Sequence, residues 1–485
     1  MRLIFTAIAG LLQASALFAQ QSLSAEIDRE VRTLQRAYNV PGLSVVVVQG
    51  NQVILCKGYG ESNVARHTAF TSDTPARLAS ATKFLTSLGM IAEAHKGTID
   101  LDARLDTYLQ GLQPEWASIP VYQLLNLTSG IPGTEKTPFD GLTTDEQRRV
   151  SEGTLFEMLR NLPLESRPGE RWAYRQTGYM TASLIIGRQT GKSWQDILRE
   201  DILLPAGTTN TGHNDATAYA PGLEPKNYVH DEVGTFVDAP MFFPLVLATG
   251  AGYNTSAHDL SRIFLAINAH KILSPELLAR YEFNTRYMFP TGGDEYYSLA
   301  SEVKRVGPFR TIGHSGGPDL ADIRYSPDKQ VGVAVLANRN NTGISAELTT
   351  RILRRVLLDS AFDAQKRPIG MAIRGLVGKS SDEQLAAFYE QNRHNPKYHY
   401  EDSERDLNSA GYELLGSADI PDALKIFRLI VQVFPQSANA FDSLGEAYLK
   451  AGDKPRALAN YKKAYALNPN NEHAKEVVAQ LSGQH

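Results

Sequence analysis

The hydrophobic pattern divides the chain into stretches of different rhythm. Leu3 to Leu12 is apolar without period, with Arg2 in front and polar Gln20 and Gln21 behind. A helical pattern follows in SAEIDREVRTLQRAY, residues 24–38. Two runs rich in β-branched residues come next, LSVVVVQG and QVILCKGYG, separated by Gly50-Asn51. That turn and those runs predict an antiparallel hairpin. Helical segments fill the middle. Strand-like runs return late, in FRTIGHSGG, DIRYSPDK and VGVAVLANR, before a final helix from about 345 to 360. Strands at both ends with helices between predict an α/β (α+β) domain over residues 22–362, with an antiparallel sheet flanked by helices. Residues 363–381 show no clear period and read as a connector.

The last hundred residues repeat themselves. Phe441, Leu444, Gly445, Tyr448, Ala457, Tyr461, Ala464 and Pro469 have counterparts 34 residues earlier at Leu407, Ala410, Gly411, Leu414, Ala423, Phe427, Ile430 and Pro435. Small residues at 410, 411, 423 and 457 let paired helices approach closely. Over about 405–470 the chain resembles the tetratricopeptide family. Helix 471–482 is expected to cap the array, and a helix over about 382–393 to form a degenerate first unit. Residues 382–485 are thus expected to be an all-α repeat domain, with a surface for a protein or peptide partner.

Composition narrows the setting. With 42% hydrophobic and 21% charged residues the chain reads as globular, and a formal charge of −4 leaves no footprint for nucleic acid. The basic start, short apolar run and small residues up to Ala19 read as a signal peptide over 1–19, hence a secreted or periplasmic protein with no later transmembrane segment. Cys56 is the single cysteine. It excludes an intrachain disulfide and is expected to be a small buried side chain on a strand. No Cys pair or H-E-x-x-H suggests a metal, and no cofactor motif is present; His394 and His399 read as a solvated turn.

The chemistry begins at Ser80-Ala81-Thr82-Lys83, where RLAS meets a helical run. On a helix i and i+3 share a face, so a Lys amine can reach the Ser oxygen. The macrodipole at a helix start also favours developing negative charge there. Two further motifs follow: Tyr174-Arg175-Gln176 before a helix, and His314-Ser315-Gly316 at a strand end. With these three in order, and with landmarks such as YQLLNLTSGIPG and ATGAGYNTSAHDLSRI, residues 38–358 resemble the serine β-lactamase and penicillin-binding superfamily. The nearest look is to its class C β-lactamase, D-alanyl-D-alanine carboxypeptidase and β-lactamase-like esterase group. The resemblance implies a β-lactamase-like fold and an acyl-enzyme mechanism. Ser80 would attack the carbonyl, and Lys83 and Tyr174 would handle the proton. The backbone N–H groups of Ser80 and Gly317 would form the oxyanion hole. His314 and Gly316 would line the strand edge, and Gln176 would support the substrate. For Lys83 or Tyr174 to act as a base at pH 7, the site must supply about 4 kcal/mol.

Two departures and one decoy stand out. The superfamily has Asn where this chain has Gln176, one methylene longer, which puts the substrate class in doubt. Asn126 stands in NLTSG where the superfamily has His, a position of structural weight. Residues 313–317 also fit G-x-S-x-G, but Pro318 and another strand-like run follow where a nucleophile elbow needs a helix. The expected function is a serine hydrolase of esters or amides, including D-amino-acid peptides. β-Lactamase or D-alanyl-D-alanine carboxypeptidase activity is one alternative. A catalytically weak binding protein working through its repeats is the other.

Overall fold

The computed structural model describes residues 2–213, 225–230, 235–340, 342–399, 403–416, 419–469 and 471–483, with backbone alone for 2–19. Helix α1 (Arg2–Ala37) leads into the hairpin β1 (Gly42–Gln49) and β2 (Gln52–Asn63). Gly50 turns the hairpin at φ 55°, a conformation glycine adopts without a Cβ penalty. A short β3 (Thr68–Ala69) extends the edge. The late strands are β4 (Phe289–Gly292), β5 (Glu295–Tyr297), β6 (Glu302–Val306), β7 (Phe309–Gly316), β8 (Ala321–Ser326) and β9 (Val331–Ala337). They join the hairpin in one nine-stranded sheet, ordered β3-β2-β1-β9-β8-β7-β6-β5-β4. All its pairings are antiparallel. The first and last strands of the domain thus pair at its centre, Val46 opposite Ala334.

Both faces of that sheet are covered, which explains the unbroken valine run. Val45 and Val47 pack toward Val31 and Leu34 of α1 and toward Leu348 and Ile352 of a later helix, Ile344–Leu358. Val46 and Val48 belong to the opposite core, with Phe84, Leu88 and Phe264. Successive strand residues face opposite ways, so a strand buried on both sides needs apolar residues throughout. All four valines are fully buried, and each contributes roughly 1.5–3 kcal/mol. Gly332 clears room for Phe264, whose ring would lie 2.4 Å from any Cβ there. Cys56 on β2 is half-buried rather than fully enclosed, because it sits toward the sheet's outer edge.

The C-terminal region is helical, with helices Ile369–Leu376, Asp382–Asn392, Ser403–Gly416, Ile420–Val433, Ala438–Lys450, Lys454–Leu467 and Glu472–Leu481. They share a core of their own, from Ile369 to Ala474. The first of them lies inside the stretch read as a connector. Gly411 stacks on Phe427 and Gly445 on Tyr461, where a Cβ would meet the rings at 2.7 and 3.0 Å. These are the small and large positions that the 34-residue period pairs. No described helix is long and apolar enough to cross a membrane.

The helical region is tied to the sheet domain by buried polar contacts. Glu347 accepts from the Tyr38 hydroxyl and from Arg367, whose Nη2 lies 3.1 Å from that same hydroxyl. Lys379 donates to the carbonyl of Ala37 at 2.8 Å, closing the end of α1. Gly375 lies flat on the Tyr38 ring. Truncation after Ala361 should therefore lower the melting temperature by more than about 5 °C, a loss on the order of 1–2 kcal/mol. An unchanged melting temperature would mean that this interface contributes nothing to the sheet domain.

Candidate active site

Two neighbours and a strained residue of its own lock the turn that carries Ser80. The Leu78 N–H donates to the Tyr253 carbonyl at 3.0 Å. Gly316, at the end of β7, presses on the Leu78 carbonyl so closely that a Cβ would sit 2.0 Å from it. Ala79 is held at φ +45°, a left-handed conformation that costs on the order of 1–3 kcal/mol for a residue with a Cβ. Ser80 then opens directly onto helix α2 (Thr82–Lys96), where the macrodipole favours negative charge on the serine oxygen.

Lys83 lies one turn along α2 and is 0% exposed. Its Nζ donates to the Gly250 carbonyl at 2.5 Å. It lies 4.7 Å from the centre of the Tyr174 ring and 5.4 Å from that of Tyr179. Burial pushes the amine well below the usual ammonium range; the carboxylate of Glu302 acts weakly the other way. Thr86 anchors the same helix face to the Thr249 carbonyl at 2.6 Å. The segment 249–253 is thus the floor on which both the nucleophile turn and the lysine rest.

Tyr174 precedes helix α3 (Thr177–Thr190). The NLTSG loop places it: the Ala173 N–H donates to the Leu127 carbonyl at 2.9 Å, with Leu127 at φ +63°. The Tyr174 ring is 37% exposed, while its hydroxyl sits among packed atoms, hydrogen-bonded to Ser80 and Gln176. Burial drives the phenol upward, against those two hydrogen bonds. Burial therefore moves the two groups apart, the Lys83 amine downward and the Tyr174 phenol upward. The Gln176 Oε1 is buried without a partner and packs against Gly250, where a Cβ would lie 1.8 Å from it. Its amide N–H is what reaches the Tyr174 hydroxyl.

His314 is only 3% exposed and sits behind the strand edge. Its Nδ1 faces the Ser315 carbonyl at 2.6 Å, so Nδ1 carries the proton. Nε2 then accepts from the Tyr297 hydroxyl at 3.0 Å, and Tyr297 accepts from Tyr179 at 2.7 Å. Burial pulls the imidazole down to about 3, against the pull of Glu302. Tyr174, Trp172, Tyr297 and His314 form a closed circuit of rings with centroids 5.8–6.1 Å apart. Gly317 is exposed, with open space where a Cβ would point. The decoy serine, Ser315, donates its hydroxyl to Glu302 at 2.9 Å and has no histidine base. Tyr179, Tyr297, Glu302 and Gly250 were not singled out in the sequence; none stands in a motif, and only the fold brings them beside Lys83.

A family model described as Beta-lactamase matches residues 27–357. The chain belongs to the beta-lactamase family. This family comprises serine hydrolases. Protein flp of Staphylococcus aureus is 28% identical over 349 residues, covering 67% of this chain and 64% of its own length. A penicillin-binding protein of Bacillus subtilis is 27% identical over 197 residues, covering 40% of this chain. The chain spans only 42% of that relative's length. Among solved structures, the octameric penicillin-binding protein homologue from Pyrococcus abyssi superposes with a TM-score of 0.59 at 23% identity, over 70% of this chain and 78% of its own. D-amino acid amidase from Ochrobactrum anthropi SV3 gives 0.56 at 20% identity, over 70% and 98%. At such identities these structures show the shared fold alone. Among the described residues, no group of His, Cys, Asp and Glu side chains could hold a metal ion.

The pH dependence of the site has a definite sign. If Lys83 serves as the base, kcat/KM should rise with pH along a limb that lies well below the ordinary lysine value of 10.5. Lys83→Met should abolish turnover yet raise the melting temperature at pH 7. Folding at that pH must strip a proton from the lysine, a cost present below the unfolded pKa of about 10.4 and gone above it. Loss of stability in Lys83→Met at pH 7 would mean the buried amine is charged.

Proposed function

We propose that the protein is a secreted or periplasmic hydrolase that cleaves esters or amides, D-amino-acid derivatives included, through an acyl-enzyme on Ser80. The observation that carries this reading is the buried Lys83, its amine pushed well below the usual ammonium range, against the ring of a Tyr174 whose hydroxyl is hydrogen-bonded to Ser80. The Ser80 proton passes to the Tyr174 oxygen as the Tyr174 proton passes to the Lys83 amine. The serine oxygen adds to the carbonyl carbon, and the negative charge moves to the carbonyl oxygen, held by the N–H groups of Ser80 and Gly317. Lys83 returns its proton through Tyr174 to the leaving nitrogen or oxygen, and that bond breaks. Water, deprotonated by the same pair, then releases the acid and frees Ser80. His314 and Gly316 hold the strand edge that flanks the substrate.

Gln176 spends its amide on Tyr174 and Gly250, which leaves it poorly placed to hold an acylamino group on the substrate. Residues 1–19 act as the export signal. The contact of Gly411 with Phe427, recurring 34 residues later as Gly445 with Tyr461, supports two tetratricopeptide units, with a docking surface for a peptide or protein.

A fluorophosphonate probe tests the nucleophile. It should add its mass to the peptide bearing Ser80, and Ser80→Ala should lose both labelling and turnover, leaving at most about 10³-fold over water. Full turnover in Ser80→Ala would overturn the assignment. Tyr174→Phe should lower kcat by 10- to 1,000-fold, on the order expected for a lost proton carrier, with a smaller change in KM.

A further inference from the structure

The strand edge beside Ser80 carries the Glu302 carboxylate, and the described cations around it are already paired. Strand β7 pairs with β6 over Phe309–Thr311, and beyond that pairing the Glu302 carboxylate reaches β7. Its Oε1 accepts the Ser315 hydroxyl at 2.9 Å and lies 3.5 Å from the Ser315 N–H. It lies 3.6 Å from His314 Nδ1 and keeps 19% of its side chain exposed. Gly316, the next residue, touches the nucleophile's turn, and the Glu302 charge is felt at both Lys83 and Tyr174.

The cations of the neighbourhood are engaged elsewhere. Arg324 is buried between Glu302 and Asp322, which take its Nε and Nη2, while its Nη1 is enclosed without a partner. Lys304 faces Glu302 at 3.1 Å and Glu295 at 3.9 Å. Arg175, inside the tyrosine motif, is held by Glu165 at 3.0 Å and Glu135 at 3.4 Å. Arg77 donates to the carbonyls of Pro225 and Met241. Burial keeps His314 neutral and pushes the Lys83 amine well below the usual ammonium range. A substrate carboxylate brought to this edge would lose its water, meet Glu302, and gain no counter-ion. It would also stabilise the ammonium form of Lys83 and so remove the base.

We infer that Glu302 is a specificity residue that makes the His314–Gly317 edge reject carboxylates, so that the substrate is a neutral amide or ester with no free acid next to the scissile bond. The inference rests on Ser80 being the nucleophile. It separates this chain's chemistry from that of enzymes which bind a carboxylate beside the bond they cut.

Two thioesters that differ in one group test it: phenylacetylthioglycolic acid and its primary amide, each rate divided by its hydroxide-catalysed rate. In the wild-type protein kcat/KM should favour the amide by at least about tenfold, the scale of one unfavourable like-charge contact. Glu302→Gln should cut that preference to less than about threefold. Raising salt from about 0.05 to about 1 M should narrow it in the wild type as well, which keeps the test intact if the variant does not fold. A preference for the carboxylate, equal rates, or a preference that neither salt nor Glu302→Gln alters would overturn the inference and leave the hydrolase standing. If neither thioester turns over and no probe labels Ser80, the hydrolase reading itself fails and takes this inference with it.

Discussion

The burial of one amine organises this site. Lys83 is enclosed on a helix that begins at the nucleophile, with one carbonyl as hydrogen-bond partner and two tyrosine rings as walls. An isolated ammonium in such surroundings is costly, so burial pushes the amine well below the usual ammonium range. The features around it can be understood as what keeps it there. The floor at 249–253 supplies the carbonyl, and Gly250 has no side chain because Gln176 occupies the space. The aromatic circuit from Tyr174 to His314 packs around the nearest imidazole, and burial keeps it neutral.

The same constraint extends into the sheet. His314 is neutral because it is buried, and its proton is fixed on Nδ1 by the Ser315 carbonyl. That fixes the direction of the hydrogen bonds from Tyr179 through Tyr297. The charges that remain are gathered on the outer side of β7, where Glu302, Asp322, Arg324 and Lys304 offset one another. A buried, mutually paired cluster costs less than any of its members alone. The arrangement leaves the cleft with an uncharged base and an uncharged imidazole.

Much of this was legible in the sequence, and the unread part has a common cause. The hairpin at Gly50-Asn51, the antiparallel sheet and the helix after Lys83 follow from local period and turn chemistry. Ser80, Lys83, Tyr174 and His314 lie in short motifs, and the structure brings them to one place. Residues without a local signature were not readable. Tyr297 and Glu302 reach His314 across the sheet, and Gly250 meets Lys83 from a segment 167 residues away. Their roles come from tertiary contact alone. The division of labour between Lys83 and Tyr174 was also hidden, because it depends on burial, which a motif does not encode. Ile369–Leu376 formed a helix where the sequence showed no period, because its buried Ile369 and Ile373 pack against the helices that follow.

The central claim is that Lys83 is a free amine at neutral pH. Nitrogen NMR of the protein labelled with 15N-lysine observes this directly, with Lys83→Met assigning the resonance. The account expects the Lys83 Nζ to show the shift of a neutral amine at pH 7 and to titrate well below the other lysines. An ammonium resonance at pH 7, titrating near the ordinary lysine value of 10.5, would contradict it.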